Sequence, residues 1–226
     1  MNSKELFWRC DAVVFDLDGT LAQTLEGLHV SLNEVLCEHG YRPVLQDDVR
    51  VSMHGGFAAS VQSALRGIDV GAGSVPAVTE AYRARYREKM ITTTTLYPRV
   101  REVLEAQRAR GCRLAVCTNR DELIAVELLE GLGLLPYFSS IVGLSEGSEP
   151  KPHPMSLNRT LEVLGTGPNH ALMVGDSIVD IACATSAGMP CLLFEGGYGA
   201  TDLPPNISVS RFCTYEDLLR ERSSSI

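Results

Sequence analysis

No stretch of this 226-residue chain is apolar for long enough to cross a bilayer as a helix, so no membrane partner is expected. Its first ten residues, MNSKELFWRC, lack the apolar core of a secretory signal, and a cytoplasmic setting is the expectation. Positive charge is scarce: 20 Lys and Arg stand against 28 Asp and Glu, a formal net charge of −8. A nucleic-acid backbone needs a basic patch, so no nucleic-acid partner is expected either. A small anionic ligand stays open, because a site can be positive on a negative protein, above all around a metal ion. The seven cysteines include no CxxC pair and no evident His–Asn partnership, so most of them read as small hydrophobes in or beside apolar runs, in a reducing compartment. Internal repeats and low-complexity segments are also missing.

What remains is an ordinary globular balance, 45% hydrophobic and 21% charged, in a length that suits one large domain or two unequal ones. Short apolar runs recur at residues 12–15 (AVVF), 113–116 (RLAV), 141–142 (IV), 171–174 (ALMV) and 191–194 (CLLF). They are continuous rather than alternating, as strands buried on both faces of a parallel sheet must be. Helical patterns lie between them. One begins with Pro98 at its first position and ends at Gly111; another opens on Asp121-Glu122 and ends at Gly131. Two more span residues 154–164 and 180–187, each closed by a glycine. Thr214 with Asp217 resembles a capping box for a last short helix, and residues 223–225 read as a frayed serine tail.

Strands alternating with helices predict a doubly wound α/β sheet. The interval from 22 to 91 breaks the rhythm. It contains a helical stripe of Leu25, Leu28, Leu32, Val35 and Leu36, a second helical segment at 81–90, and no convincing buried strand. We read residues 1–21 and 92–226 as a core and 22–91 as an inserted helical unit. Residues 92–95, four β-branched threonines in a row, disfavour helix and suit the return linker.

Four polar clusters follow four of these strands. Asp16 and Asp18 are two apart on an extended segment, so both carboxylates reach one side, and Gly19 permits a sharp turn. Open α/β sheets bind ligands at such carboxyl ends. Thr118 and Asn119 supply a hydroxyl and an amide after the second strand, which alone would read as a helix cap. Lys151 stands among Pro150, Pro152 and Pro154, which restrict where its ammonium points. Asp176 ends the fourth strand with Asp180 four residues on, and with Asp16 they make a hard oxygen site of the kind Mg²⁺ prefers.

The order DxDGT, TN, KPxP, GDxxxD resembles the haloacid dehalogenase superfamily of phosphatases over nearly the whole chain. Within it the likeness is to phosphoglycolate phosphatases, through residues 53–56 (MHGG), 95–98 (TLYP) and 196–199 (GGYG). The resemblance implies a Rossmann-like core with an α-helical cap, and Mg²⁺-dependent hydrolysis of a small phosphorylated metabolite. Asp16 would be the nucleophile, forming an aspartyl-phosphate. Asp18 would be general acid and then base; Thr118 and Lys151 would hold the transferring phosphoryl group. Asp16, the Asp18 carbonyl and Asp176 would hold Mg²⁺, with Asp180 orienting that shell. Asn119, Gly19 and the cap turn His54, Gly55 and Gly56 are the candidate substrate contacts. Many relatives carry an acid where this chain has Gln23, so no role is transferred there. Other sugar-phosphate or pyrophosphate hydrolysis, a β-phosphoglucomutase-like mutase, and a phosphate-sensing protein without turnover remain open, as do monomer and homodimer. Arg83, Arg85, Arg87 and Lys89 read as a solvated face, and Trp8 and Tyr198 as packing residues.

Overall fold

In the computed structural model, residues 3–69, 71, 73–204 and 206–219 are described; the serine tail lies outside them. The chain opens with α1 (Ser3–Arg9), which the sequence reading did not anticipate, and it buries Phe7. β1 (Ala12–Phe15) follows. After the Asp16–Gly19 turn come β2 (Ala22–Gln23), α2 (Leu25–Glu38), α3 (Gln46–Ser52), α4 (Gly56–Ala64), α5 (Ser74–Thr93) and β3 (Thr95–Leu96). The chain continues through α6 (Val100–Ala109), β4 (Arg113–Asp121), α7 (Glu122–Gly131), β5 (Ser140–Leu144) and α8 (Met155–Leu164). It closes with β6 (Ala171–Gly175), α9 (Ile178–Ser186), β7 (Cys191–Phe194), β8 (Ser210–Phe212) and α10 (Tyr215–Leu219).

Six strands form one sheet in the order β5-β4-β1-β6-β7-β8, and every neighbouring pair is parallel. The fold is a doubly wound α/β sheet, with β1 in the middle. Alternation along the strands explains why their runs are apolar throughout. Val13, Phe15, Leu114, Val116, Leu172 and Val174 enter the core on one face, while Ala12, Val14, Ala115, Cys117, Ala171 and Met173 enter a second core on the other. The first core also takes α6, α7 and the helices between β2 and β3; the second takes Leu157, Leu161 and Leu164 of α8 and Cys183 and Ala184 of α9.

Four details depart from the sequence reading. β8 adds a sixth strand at the sheet edge. Helix α6 starts at Val100, not Pro98, and Arg99 before it is left-handed at φ 68°. Helix α5 runs on through Thr92 and Thr93, whose hydroxyls donate back to the Lys89 carbonyl, both at 2.9 Å. Their helical placement is also set by packing: a Cβ on Gly27 would lie 2.3 Å from Thr93 Oγ1, so α2 and α5 meet backbone to side chain there. Finally, α9 starts at Ile178, with Ser177 and Asp180 forming the capping box. The anticipated Thr214–Asp217 box is present, with the Thr214 N–H donating to Asp217 at 2.8 Å.

The helices α2–α5 join the sheet through two neighbouring connections. β2 and β3 pair antiparallel, Ala22 with Leu96 and Gln23 with Thr95. Helix α4 contacts β4, and residues of α2, of α4 and of the turn before it share a cavity with residues that follow β1 and end β4.

Candidate active site

Each polar cluster is positioned by the end of a strand. β1 delivers Asp16 directly and Asp18 through the turn. Gly19 sits at φ +81°, and a Cβ there would lie 2.5 Å from Asp176 Oδ2, so only glycine lets the turn approach β6 this closely. β4 is longer than its apolar run. Its pairing with β5 is interrupted between Cys117 and Asp121, and Thr118, Asn119 and Arg120 stand in that interruption. Asp121, rather than Thr118 or Asn119, caps α7, accepting the Leu123 and Ile124 N–H groups.

Lys151 lies at the centre. Its ammonium donates to Asp16 Oδ1 at 2.8 Å, Asp180 Oδ1 at 2.7 Å and the Cys117 carbonyl at 2.9 Å, which uses all three of its hydrogens. It is 5% exposed, Asp16 7% and Asp180 1%, so these charges interact with little solvent screening. Burial works against the Lys151 charge, but Asp16 and Asp180 outweigh it and hold the ammonium well above its ordinary range. Burial likewise opposes ionisation of Asp180; Lys151 and Ser177 overcome it and hold that carboxyl low. For Asp16 burial prevails over the pull of Lys151, helped by Asp180 and Asp176, and its carboxyl is pushed up. Asp176 is pushed up to about 7, by burial first and by Asp180 second.

Asp176 is fully enclosed. It accepts from Thr20 Oγ1 at 3.2 Å and from the Tyr198 and Gly199 N–H groups at 2.6 and 3.0 Å. Carboxylate oxygens of Asp16, Asp176 and Asp180 lie within 4.8 Å of one another. Three buried carboxylates balanced by one ammonium are a hard donor set short of positive charge, which fits Mg²⁺.

Asp18 is oriented by two neighbours. Thr24 Oγ1 donates to Oδ1 at 2.5 Å, and Arg120 grips both oxygens through Nε, at 3.1 Å, and Nη2. The sequence reading missed Arg120. It is 5% exposed, and its guanidinium carbon lies 4.5 Å from the Tyr86 ring centre and 6.0 Å from that of Phe57. An arginine inside an otherwise buried strand was the available signal. Tyr198 also proves to be more than packing, since its hydroxyl oxygen accepts the Thr24 and Leu25 N–H groups at 2.7 and 3.1 Å.

Asp16, Asp18, Thr118, Asn119, Lys151, Asp180, His54 and Gly56 all line one cavity, of about 520 Å³ including its opening to solvent. Apolar side chains from the insert, Leu28, Met53 and Phe57, line it as well. Thr118 is 1% exposed, and its hydroxyl oxygen accepts the Arg120 N–H at 3.2 Å, leaving its hydrogen to donate. Asn119 is brought to the cavity wall, but both hydrogens of its amide are engaged, by the His54 carbonyl at 2.6 Å and the Lys151 carbonyl at 2.9 Å. Gly55 is exposed and stands outside the lining. Gly19 and Asp176 lie behind it. Burial holds the His54 ring below the ordinary imidazole value, so it is neutral at pH 7. The basic residues of α5 are half-buried or exposed and mostly face acids: Arg85 and Lys89 meet Glu34, and Arg87 meets Glu127.

This fold and this ring of groups define a class. A family model of haloacid dehalogenase-like hydrolases matches residues 13–194, and the chain belongs to that family. Within it the chain is similar to phosphoglycolate phosphatases. It is 35% identical over 212 residues to that of Rhodospirillum rubrum, covering 91% of this chain and 87% of the relative. It is 35% identical over 226 residues to that of Chromobacterium violaceum, covering 97% and 99%. The crystal structure of a predicted phosphoglycolate phosphatase from Haemophilus somnus superposes with a TM-score of 0.84 at 28% identity, over 93% of this chain and 97% of that one.

Proposed function

We propose that this chain is a Mg²⁺-dependent phosphomonoester hydrolase acting on 2-phosphoglycolate or a closely similar small phosphorylated acid. The observation that carries the reading is the convergence of Asp16, Asp18, Thr118 and Lys151 on one cavity, backed by the Asp16–Asp176–Asp180 cluster. The similarity to phosphoglycolate phosphatases over most of the chain supports the substrate.

Asp16 attacks phosphorus and the bond from phosphorus to the leaving oxygen breaks. Asp18 delivers the proton that the leaving oxygen takes up. Water then attacks the aspartyl-phosphate, Asp18 receives its proton, and Asp16 is released with inorganic phosphate. Two displacements replace one harder one. Lys151 offsets charge on the phosphoryl oxygens, and Thr118 donates a hydrogen bond to them. Asp16, the Asp18 carbonyl and Asp176 would hold Mg²⁺, with Asp180 behind them. When bound, the ion would offset the repulsion between a carboxylate nucleophile and a phosphate dianion. Thr24 and Arg120 keep the Asp18 carboxyl group oriented. The insert acts as a cap, with residues 22–91 reading out the leaving group and excluding water. All seven cysteines are free thiols, which suits the reducing cytoplasm in which we place the protein.

The test is phosphate release from a panel of small phosphoesters, including 2-phosphoglycolate, with and without Mg²⁺. Mg²⁺-dependent preference for 2-phosphoglycolate is expected. Preference for another ester discards the substrate and keeps the mechanism. Transfer between positions of a sugar phosphate without phosphate release would replace the hydrolase by a mutase.

A further inference from the structure

The cavity holds two buried donors that the phosphoryl chemistry does not use. Arg120 commits Nε and Nη2 to Asp18, but its Nη1 is buried with no hydrogen-bond partner among the described residues. The Tyr82 hydroxyl is equally buried and unpartnered, on a residue with no exposed surface. Both residues line the cavity that contains Asp16 and Asp18. Buried polar groups are ordinarily satisfied, so two unmet donors on one cavity wall mark the place of an acceptor.

Their setting narrows the acceptor. The guanidinium plane is fixed by Asp18 at one edge and by the Tyr86 ring beneath it. Phe57, Met53 and Leu28 supply apolar wall nearby and offer a ligand no competing polar contact. A group that only accepts, carries negative charge and takes more than one donor suits an arginine edge beside a phenol. Of the basic residues of α5, Arg85, Arg87 and Lys89 are turned to Glu34, Glu38 and Glu127, and Arg83, beside Phe57, lies 3.5 Å from Asp121.

We propose that Arg120 Nη1 and the Tyr82 hydroxyl form the subsite for a carboxylate on the substrate's leaving group. The inference rests on the hydrolase reading above and names the residues that select the substrate. One guanidinium spans both tasks. Its Asp18 edge fixes the proton donor to the leaving oxygen, and its Nη1 lies one nitrogen further along. On this proposal a carboxylate one carbon from the ester oxygen meets Nη1 while the ester oxygen stays beside Asp18. Arg120 comes from β4 and Tyr82 from α5, so the subsite is complete only when core and insert are together. A substrate acid would thus be read across that boundary.

The experiment compares kcat/KM for 2-phosphoglycolate and for 2-hydroxyethyl phosphate, which replaces the carboxylate by a hydroxymethyl group, in the full chain with Mg²⁺. Wild type is expected to prefer the acid. Tyr82→Phe removes one donor without disturbing an ion pair, and is expected to lower the ratio of the two kcat/KM values by about tenfold. Arg120→Lys is expected to lower that ratio by roughly a hundredfold, because bonds to charged groups contribute more. If Arg120→Lys does not fold, Tyr82→Phe decides alone. Variants that slow both substrates equally, leaving the ratio intact, would overturn the subsite and leave the hydrolase reading standing. Turnover by wild type without any preference for the acid would overturn the substrate reading and this inference with it.

Discussion

The Asn119 carboxamide holds the main chain of Lys151 from both sides, accepting its N–H at 2.7 Å and donating to its carbonyl at 2.9 Å. Its second amide hydrogen goes to the His54 carbonyl at 2.6 Å. One side chain on β4 thus fixes the backbone of Lys151 and ties the loop after α3 to the core. Asn119→Ala leaves three backbone groups without these partners. It is expected to cost about 3 kcal/mol of stability, read by urea denaturation, because buried unmet groups bear their full desolvation penalty. A displaced Lys151 is also expected to reduce kcat by up to roughly a hundredfold. Wild-type kcat in a folded Asn119→Ala protein would refute this positioning role.

Asp16→Asn tests the nucleophile. Burial already works against the Asp16 charge, so replacing it by a neutral isostere is expected to preserve the fold. Turnover is expected to fall by at least ~10⁴-fold, the scale on which enzymes respond to losing a nucleophile. The check is a steady-state assay beside a circular dichroism melt. A folded variant with full activity would remove Asp16 from the mechanism.

Acidity and metal should act together through Asp176. Its folded value, about 7, lies above that of an unfolded carboxyl, 3.8. Such a group contributes stability that is fully present below the unfolded value and is lost as pH rises through about 7. Asp16 shifts the same way; Asp180 shifts the opposite way but acts only below 3.8, and His54, held below its ordinary 6.5, offsets part of the loss. The metal-free protein is therefore expected to melt several degrees lower at pH 8 than at pH 5.5, given about 2–4 °C per kcal/mol for a chain of this size. Mg²⁺ requires the ionised carboxylates, so its addition is expected to raise Tm more at pH 8 than at pH 5.5. Scanning calorimetry with and without Mg²⁺ measures both, and an equal Mg²⁺ effect at the two pH values would contradict the account.

Tyr198 offers a separate handle on the insert. Its hydroxyl receives the N–H groups of Thr24 and Leu25 where α2 begins, and Thr24 in turn donates to Asp18. Tyr198→Phe strips the helix start of an acceptor and is expected to cost about 1–2 kcal/mol. Because the contact joins the loop after β7 to the entrance of the insert, kcat and KM are expected to change together. A change in stability alone would reduce Tyr198 to a helix cap.

The strands β1, β4, β6 and β7 were legible because burial on both faces forces unbroken apolar runs. β8 was not, since Ser210 and Arg211 are half-buried at the sheet edge and leave Phe212 as its only apolar signal. The helical ending of α5 was hidden because its threonines have low helix propensity, and packing against Gly27 decided the matter. Asp16, Asp18, Lys151 and Asp176 stood out in the sequence because each follows a strand. Arg120 did not, because its meaning lies in Asp18, more than a hundred residues away, and in the Tyr86 ring of the insert. Asn119 was visible as a polar residue in the right place, but its use as a brace for Lys151 is a tertiary fact. Gly55 followed the motif pattern and yet faces outward.

The rungs between β2 and β3 also bear on how the chain assembles. β1 and β4 pair directly, although five helices, α2 to α6, separate them in sequence. The entropy of bringing two strands together grows with the length of free chain between them. With Ala22 clasped to Leu96, the open path from Phe15 to Arg113 shrinks to residues 16–21 and 97–112. An insert that closes on itself before the sheet forms adds helices without lengthening the search that the central strands must make. Loosening the clasp would then slow folding more than it lowers the stability of the finished protein.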